Sequence, residues 1–159
     1  MEQTQVIGFD ADDTLWHNEH YFLDAEKKFW ELMEDFLPQH ASARELMKTE
    51  MQNIQLYGYG IKAFILSMIE TAIRISEGTI TSSGIEQIIN FGKEMLDKPV
   101  ELIDGVDEVL AELNGRYKLV VVTKGDLLDQ ERKLVKSGLE GYFHHIEIVS
   151  EKNEAEYLK

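Results

Sequence analysis

The chain has 159 residues, no cysteine and only two prolines. Without thiols, disulfides, thiolate catalysis and cysteine-bound zinc are excluded. Positive charge is scarce: 16 Lys and Arg stand against 30 Asp and Glu, a formal net charge of −14. Such a chain lacks the cationic surface that displaces counterions from nucleic acid or docks on anionic lipid. Neither partner is expected. Long hydrophobic runs are missing as well, since the longest uncharged apolar stretch runs only from Ala63 to Ile69. A membrane-spanning helix needs ~20 such residues. The first basic residue is Lys27, which gives the N-terminal segment no cationic leader; a cytoplasmic protein is expected. The remaining composition, 43% hydrophobic and 29% charged, is that of an ordinary globular protein. Its length allows one domain, or a small domain carrying an insertion.

Three apolar segments read as strands. Gln5 to Phe9 is a short Val/Ile/Phe run that stops at a cluster of acids. Tyr117 to Thr123 holds four consecutive aliphatic residues, as suits a parallel strand covered on both faces. Ile146 to Val149 is a shorter third. Between the last two, Asp126 to Gly138 carries N-cap and C-terminal stop residues around a helical stripe. The sequence from 117 to 149 thus reads as a βαβ crossover. Val106 to Leu113, ended by Asn114 and Gly115, reads as a further helix.

Residues 17–100 contain no convincing strand. Helical stripes run through Phe22, Phe29 and Phe36, then Ile61 to Ile73, then Ile85 to Leu96. Met33, Met47, Met51 and Met68 read as core filler between these helices. Tyr57-Gly58-Tyr59-Gly60 is either a turn between helices or a substrate-facing loop. Thr81 and the serines after it read as a helix start. The expected architecture is α/β: a Rossmann-like parallel sheet core, residues 1–16 and 101–159, with a helical-bundle cap, residues 17–100, inserted after the first strand.

Chemistry concentrates at the strand ends. Asp10, Asp12, Asp13 and Thr14 follow the first strand, and ligands of open parallel sheets sit beyond the carboxyl ends of their strands. Close carboxylates are costly unless a cation or proton sits between them. All candidate ligands are oxygens, which favours Mg²⁺ over softer metals. Taken singly, these acids also suit a plain turn. Thr123 ends the second strand, and Lys124-Gly125-Asp126 leads into a helix, an arrangement that can bind an anion. Lys152 follows the third strand, where a lone lysine is ordinarily a solvated charge. If the strands are parallel neighbours, carboxylates, hydroxyl and ammonium reach one rim of the sheet.

In these features the sequence resembles the haloacid dehalogenase-like (HAD) hydrolase superfamily. The first family motif, Asp-x-Asp-x-Thr after a hydrophobic strand, matches Asp10 to Thr14. The second, a Ser or Thr closing a strand, matches Thr123. The third, a Lys after the next strand, matches Lys152, and the helical insertion is similar to the family's alpha-helical cap. The resemblance implies a Mg²⁺-dependent phosphohydrolase of a small phosphorylated metabolite. Asp10 would be the nucleophile that forms an aspartyl-phosphate, and Asp12 the general acid and then base. Thr123 and the Lys124 backbone would hold phosphoryl oxygens, and Lys152 would balance charge. Mg²⁺ would be held by the Asp10 carboxylate and the Asp12 backbone carbonyl.

Two departures stand out. The residue after Asp12 is often Gly in the family and here is Asp13. The family's fourth motif, a Gly-Asp-containing source of further metal-binding acids, does not follow Lys152, so the 159-residue form is expected to show little phosphatase activity. The family's sheet also has two more strands on the far side of the first, and without them Val6 to Phe9 would be an apolar edge open to self-association. Three other readings remain. A haloacid dehalogenase uses an aspartate nucleophile without metal, but typically lacks the second acid. A phospho-acceptor signalling domain would need its acceptor Asp where Thr123 stands. The third is a non-catalytic remnant that binds a partner.

Overall fold

The computed structural model describes residues 5–154. The three apolar segments become parallel strands, β1 (Val6–Phe9), β2 (Lys118–Thr123) and β3 (His145–Ile148), in the order β1-β2-β3. Phe9 stands beside Val121, and Thr123 beside Ile148. The carboxyl ends of all three strands therefore lie along one rim. Among the described residues β1 is an edge strand, with Val6 50% exposed. The third strand begins one residue earlier than expected, taking in His145 and leaving Val149 to donate its N–H to the Thr123 carbonyl at 2.9 Å.

Between the strands run α1 (Glu19–Met33), α2 (Gln39–Tyr57), α3 (Ile61–Ile75), α4 (Ser82–Asp97), α5 (Val106–Leu113) and α6 (Leu127–Ser137). The chain forms two compact units, Met1–Glu19 with Pro99–Lys159, and His20–Lys98. In the first, the outgoing and returning segments pair with each other. Trp16 bridges Leu102, and the His17 N–H donates to the Glu101 carbonyl at 2.9 Å. That pairing carries the sheet unit a few residues beyond where hydropathy alone ended it. Its core gathers Leu15, Trp16, Leu110, Leu119, Val121 and Leu134. Helix α6 is capped as its sequence dictates: the Asp126 side chain accepts from the Asp129 N–H at 3.2 Å, and Gly138 closes it in the left-handed region at φ 74°.

The second unit is all helical and is built around Phe29, Met33, Leu46, Phe64, Met68 and Ile88. The Thr81 hydroxyl caps α4 by accepting from the Gly84 N–H at 3.1 Å. Helices α3 and α4 approach closely at Gly92, where a Cβ would lie 2.6 Å from Ile65 Cγ1. Gly58 at φ 71° ends α2 and Gly60 at φ 110° precedes α3, so the Tyr57–Gly60 segment is a chain reversal between helices.

Two expectations need correction. Helix α1 stops at Met33, and Phe36 lies beyond it, 42% exposed. Met47 and Met51 are not core filler, being 64% and 69% exposed on α2. The buried face of α2 is instead Ser42, Leu46, Thr49 and Asn53. A polar seam satisfies it: Thr71 donates to the Thr49 hydroxyl at 2.9 Å, and Asn53 donates to Ser67 at 3.1 Å and Glu70 at 3.2 Å. In the same unit, burial and then the nearby Glu26 carboxylate push the Glu50 carboxyl up to about 7. Among the described residues no helix is long and apolar enough to cross a membrane.

Candidate active site

The loop after β1 folds tightly on itself. The N–H groups of Thr14 and Leu15 both donate to the Ala11 carbonyl, at 3.1 and 2.8 Å, and the Asp13 N–H donates to the Trp16 carbonyl at 2.8 Å. This buries Ala11, Leu15 and Trp16 almost completely and leaves the acids beside them at the rim. Asp10 is the first. Its Oδ1 accepts from the Ala11 N–H at 2.9 Å and forms an ion pair with Lys152, while its Oδ2 has the Thr14 hydroxyl at 3.5 Å. The Asp10 side chain remains 42% exposed.

The Asp12 carboxylate is held differently. Oδ1 accepts from the Trp16 indole N–H at 2.9 Å and from Lys133 Nζ at 2.9 Å, and Oδ2 from the Gln130 amide at 2.8 Å. Sequence reasoning missed Gln130 and Lys133. Both lie on α6, four residues or fewer past its buried Asp129, and in the sequence they read as one turn of a charged helix.

Asp13 sits at φ 56°, in the left-handed region that favours glycine. Its side chain uses that turn: Oδ1 accepts from the N–H groups of Asn18 and Glu19, at 2.9 and 3.2 Å, where α1 starts. The family's usual glycine would suit the backbone but could not provide this cap. Asp13→Ala keeps the unfavourable φ and loses the cap, and is expected to lower stability by about 1 kcal/mol, measured by urea unfolding. An unchanged midpoint would contradict this account of Asp13.

At the end of β2, Thr123 is 2% exposed and its hydroxyl donates to the Lys124 carbonyl at 3.2 Å. The Lys124 ammonium reaches Glu151 at 2.9 Å, beside Lys152. The structure thus joins Asp10 to Lys152 directly and sets Thr123 and Lys124 on the same rim. Asp12 is turned into contacts with α6. His145 pairs with Glu147 at 2.8 Å on the exposed strand β3. As for a metal, no group of three or more Asp, Glu or His among the described residues is arranged to hold one. The donor chemistry at Asp10 nevertheless fits Mg²⁺, which takes one or two carboxylates and completes its shell with water and substrate oxygens.

A family model for haloacid dehalogenase-like hydrolases matches residues 4–158. The chain belongs to that family. Among solved structures of these hydrolases, a haloacid dehalogenase-like family protein from Xanthomonas campestris is 42% identical. Its TM-score is 0.90, and the match covers 98% of this chain and 65% of that one. A predicted phosphoglycolate phosphatase from Haemophilus somnus is 24% identical, with TM-score 0.55 over 96% of this chain and 66% of its own. A 2-haloacid dehalogenase from Pseudomonas syringae is 17% identical, with TM-score 0.58 over 92% and 64%. The last two share the fold and differ in chemistry, so fold likeness does not select between phosphate and halide release. The chain spans less than two thirds of the length of the Xanthomonas protein. Curated protein sequences contain no significant match.

Proposed function

We propose that this HAD-like hydrolase chain carries the nucleophile and the acid–base residue of a phosphohydrolase site for a small phosphorylated metabolite. The observation that carries the reading is the Asp10–Lys152 ion pair at the sheet rim, with Thr123 on the neighbouring strand end. The lysine ammonium beside the nucleophile lessens its repulsion from an incoming phosphate. Of the two Asp10 oxygens, Oδ1 is engaged by Lys152 and the Ala11 N–H, whereas Oδ2 has only a long hydroxyl contact. Oδ2 is therefore the oxygen that attacks phosphorus.

As the new P–O bond forms, the bond to the leaving alcohol breaks and Asp12 gives that oxygen a proton. Asp12 then takes a proton from the water that cleaves the aspartyl-phosphate. The Thr123 hydroxyl and the Lys124 N–H would hold phosphoryl oxygens. Mg²⁺, held by the Asp10 carboxylate and the Asp12 backbone carbonyl, would supply charge neutralisation between nucleophile and phosphate. The second acid, Asp12, favours phosphate over halide chemistry, because displacement of halide leaves no alkoxide to protonate.

The test compares phosphate release from para-nitrophenyl phosphate, with and without Mg²⁺, with chloride release from 2-chloropropionate. It uses the natural gene product that contains these residues. Mg²⁺-dependent phosphate release, with no chloride release, is the expected result. Chloride release without metal would replace the reading with a dehalogenase.

A further inference from the structure

The contacts that hold Asp12 come from an element the family motifs do not mention. Lys133 is only 14% exposed and spends its ammonium on three oxygens: Asp12 Oδ1 at 2.9 Å, Asn18 Oδ1 at 2.8 Å and Asp129 Oδ2 at 3.5 Å. Gln130, 2% exposed, sends its amide N–H₂ to both Asp12 Oδ2 at 2.8 Å and the Lys124 carbonyl at 3.1 Å. Those two acceptors fix the orientation of the amide, because a flipped carboxamide would set its oxygen against both. The cost is visible on the other atom: Gln130 Oε1 is buried without a hydrogen-bond partner. Buried polar atoms of this kind are rare and accumulate where function overrides stability. Gly125, at φ 121°, makes room for the arrangement, since a Cβ there would lie 3.2 Å from Gln130 Nε2.

A carboxylate offers about four acceptor sites. Trp16 and Lys133 use both on Oδ1, and Gln130 uses one on Oδ2. The site left is on Oδ2. We infer that Lys133, seconded by Gln130, is a positioning residue that locks the Asp12 side chain in one rotamer, with a single Oδ2 site open to the reacting group. Lys133 also ties that rotamer to Asn18, in the segment leaving the sheet unit, so the acid and the chain's exit are fixed by one ammonium. The catalytic part of this inference rests on the phosphohydrolase reading; the orienting part does not.

The chain contains two tryptophans. The Trp16 indole N–H bonds Asp12, whereas Trp30 Nε1 is buried without a partner. The two indole signals of the ¹⁵N-labelled protein thus form an internal comparison. In Lys133→Met the Trp16 signal is expected to move and the Trp30 signal to stay, with Lys133→Arg restoring the first. In the natural gene product kcat is expected to fall about 10- to 100-fold with KM nearly unchanged, and Arg to recover most of it. Removing Lys133 leaves Asp12 and Asp129 without their shared cation. If the Met variant does not fold, Gln130→Met, which alters no charge, must show the same Trp16 displacement and loss of kcat. An unmoved Trp16 signal in a folded variant, a rise in KM with kcat intact, or normal kinetics would each overturn the inference. If the wild-type product releases no phosphate, the phosphohydrolase reading fails, and the indole comparison alone decides whether Lys133 orients Asp12.

Discussion

Asp10→Asn is expected to reduce Mg²⁺-dependent phosphate release by about 10³-fold or more, the scale of losing a covalent nucleophile. The amide keeps the shape of the carboxylate and can still accept from the Ala11 N–H, now 2.9 Å from Oδ1. It loses the ion pair with Lys152, but the two side chains are 42% and 27% exposed. Such a pair contributes no more than about 1 kcal/mol. The expected signature is therefore a near-total loss of turnover with the unfolding midpoint almost unchanged. Loss of both together would mean that Asp10 acts mainly as a structural group, and persistence of turnover would remove it from the nucleophile's role.

The second large effect belongs to the helical unit and is one of pH. Burial, reinforced by Glu26, pushes Glu50 up to about 7 in the folded chain from an ordinary value of 4.5. Below the ordinary value both states are protonated and the site is neutral to stability. As pH rises towards 7, the unfolded chain ionises first, the folded state binds the extra proton, and stability falls. Above 7 the loss is complete and constant. Glu50 is partly solvated, so the loss, discounted for screening, is up to about 2 kcal/mol. Glu50→Gln should flatten urea midpoints between pH 5 and 8 and raise the midpoint at pH 8. A parallel pair of pH profiles would show that Glu50 is not the source.

What could be read from the sequence divides along physical lines. The strands, α5 and α6 were legible because their signals are local. Apolar runs stop at Asp10 and Thr123, and α6 carries its own cap and stop in Asp126 and Gly138. Helix α2 was not legible, because its inward face is Ser42, Thr49 and Asn53 while Met47 and Met51 point out. Hydropathy assigns such a helix no buried side, and only the partners Ser67, Glu70 and Thr71 on α3 make that face tenable. The motif residues at the rim were visible as types at strand ends. The side chains that hold Asp12 were not, since Gln130 and Lys133 resemble solvated helix positions until the chain brings them home.

That return carries a consequence for biosynthesis. Asp12 meets its α6 partners 118 and 121 positions downstream. At roughly 5–20 residues per second on the ribosome, the first strand and its acids are made some 6 to 24 s before the groups that complete them. The intervening helices have near neighbours and can assemble in that interval. Strand β1, whose pairing partner is β2, stays an unpaired apolar segment throughout that interval.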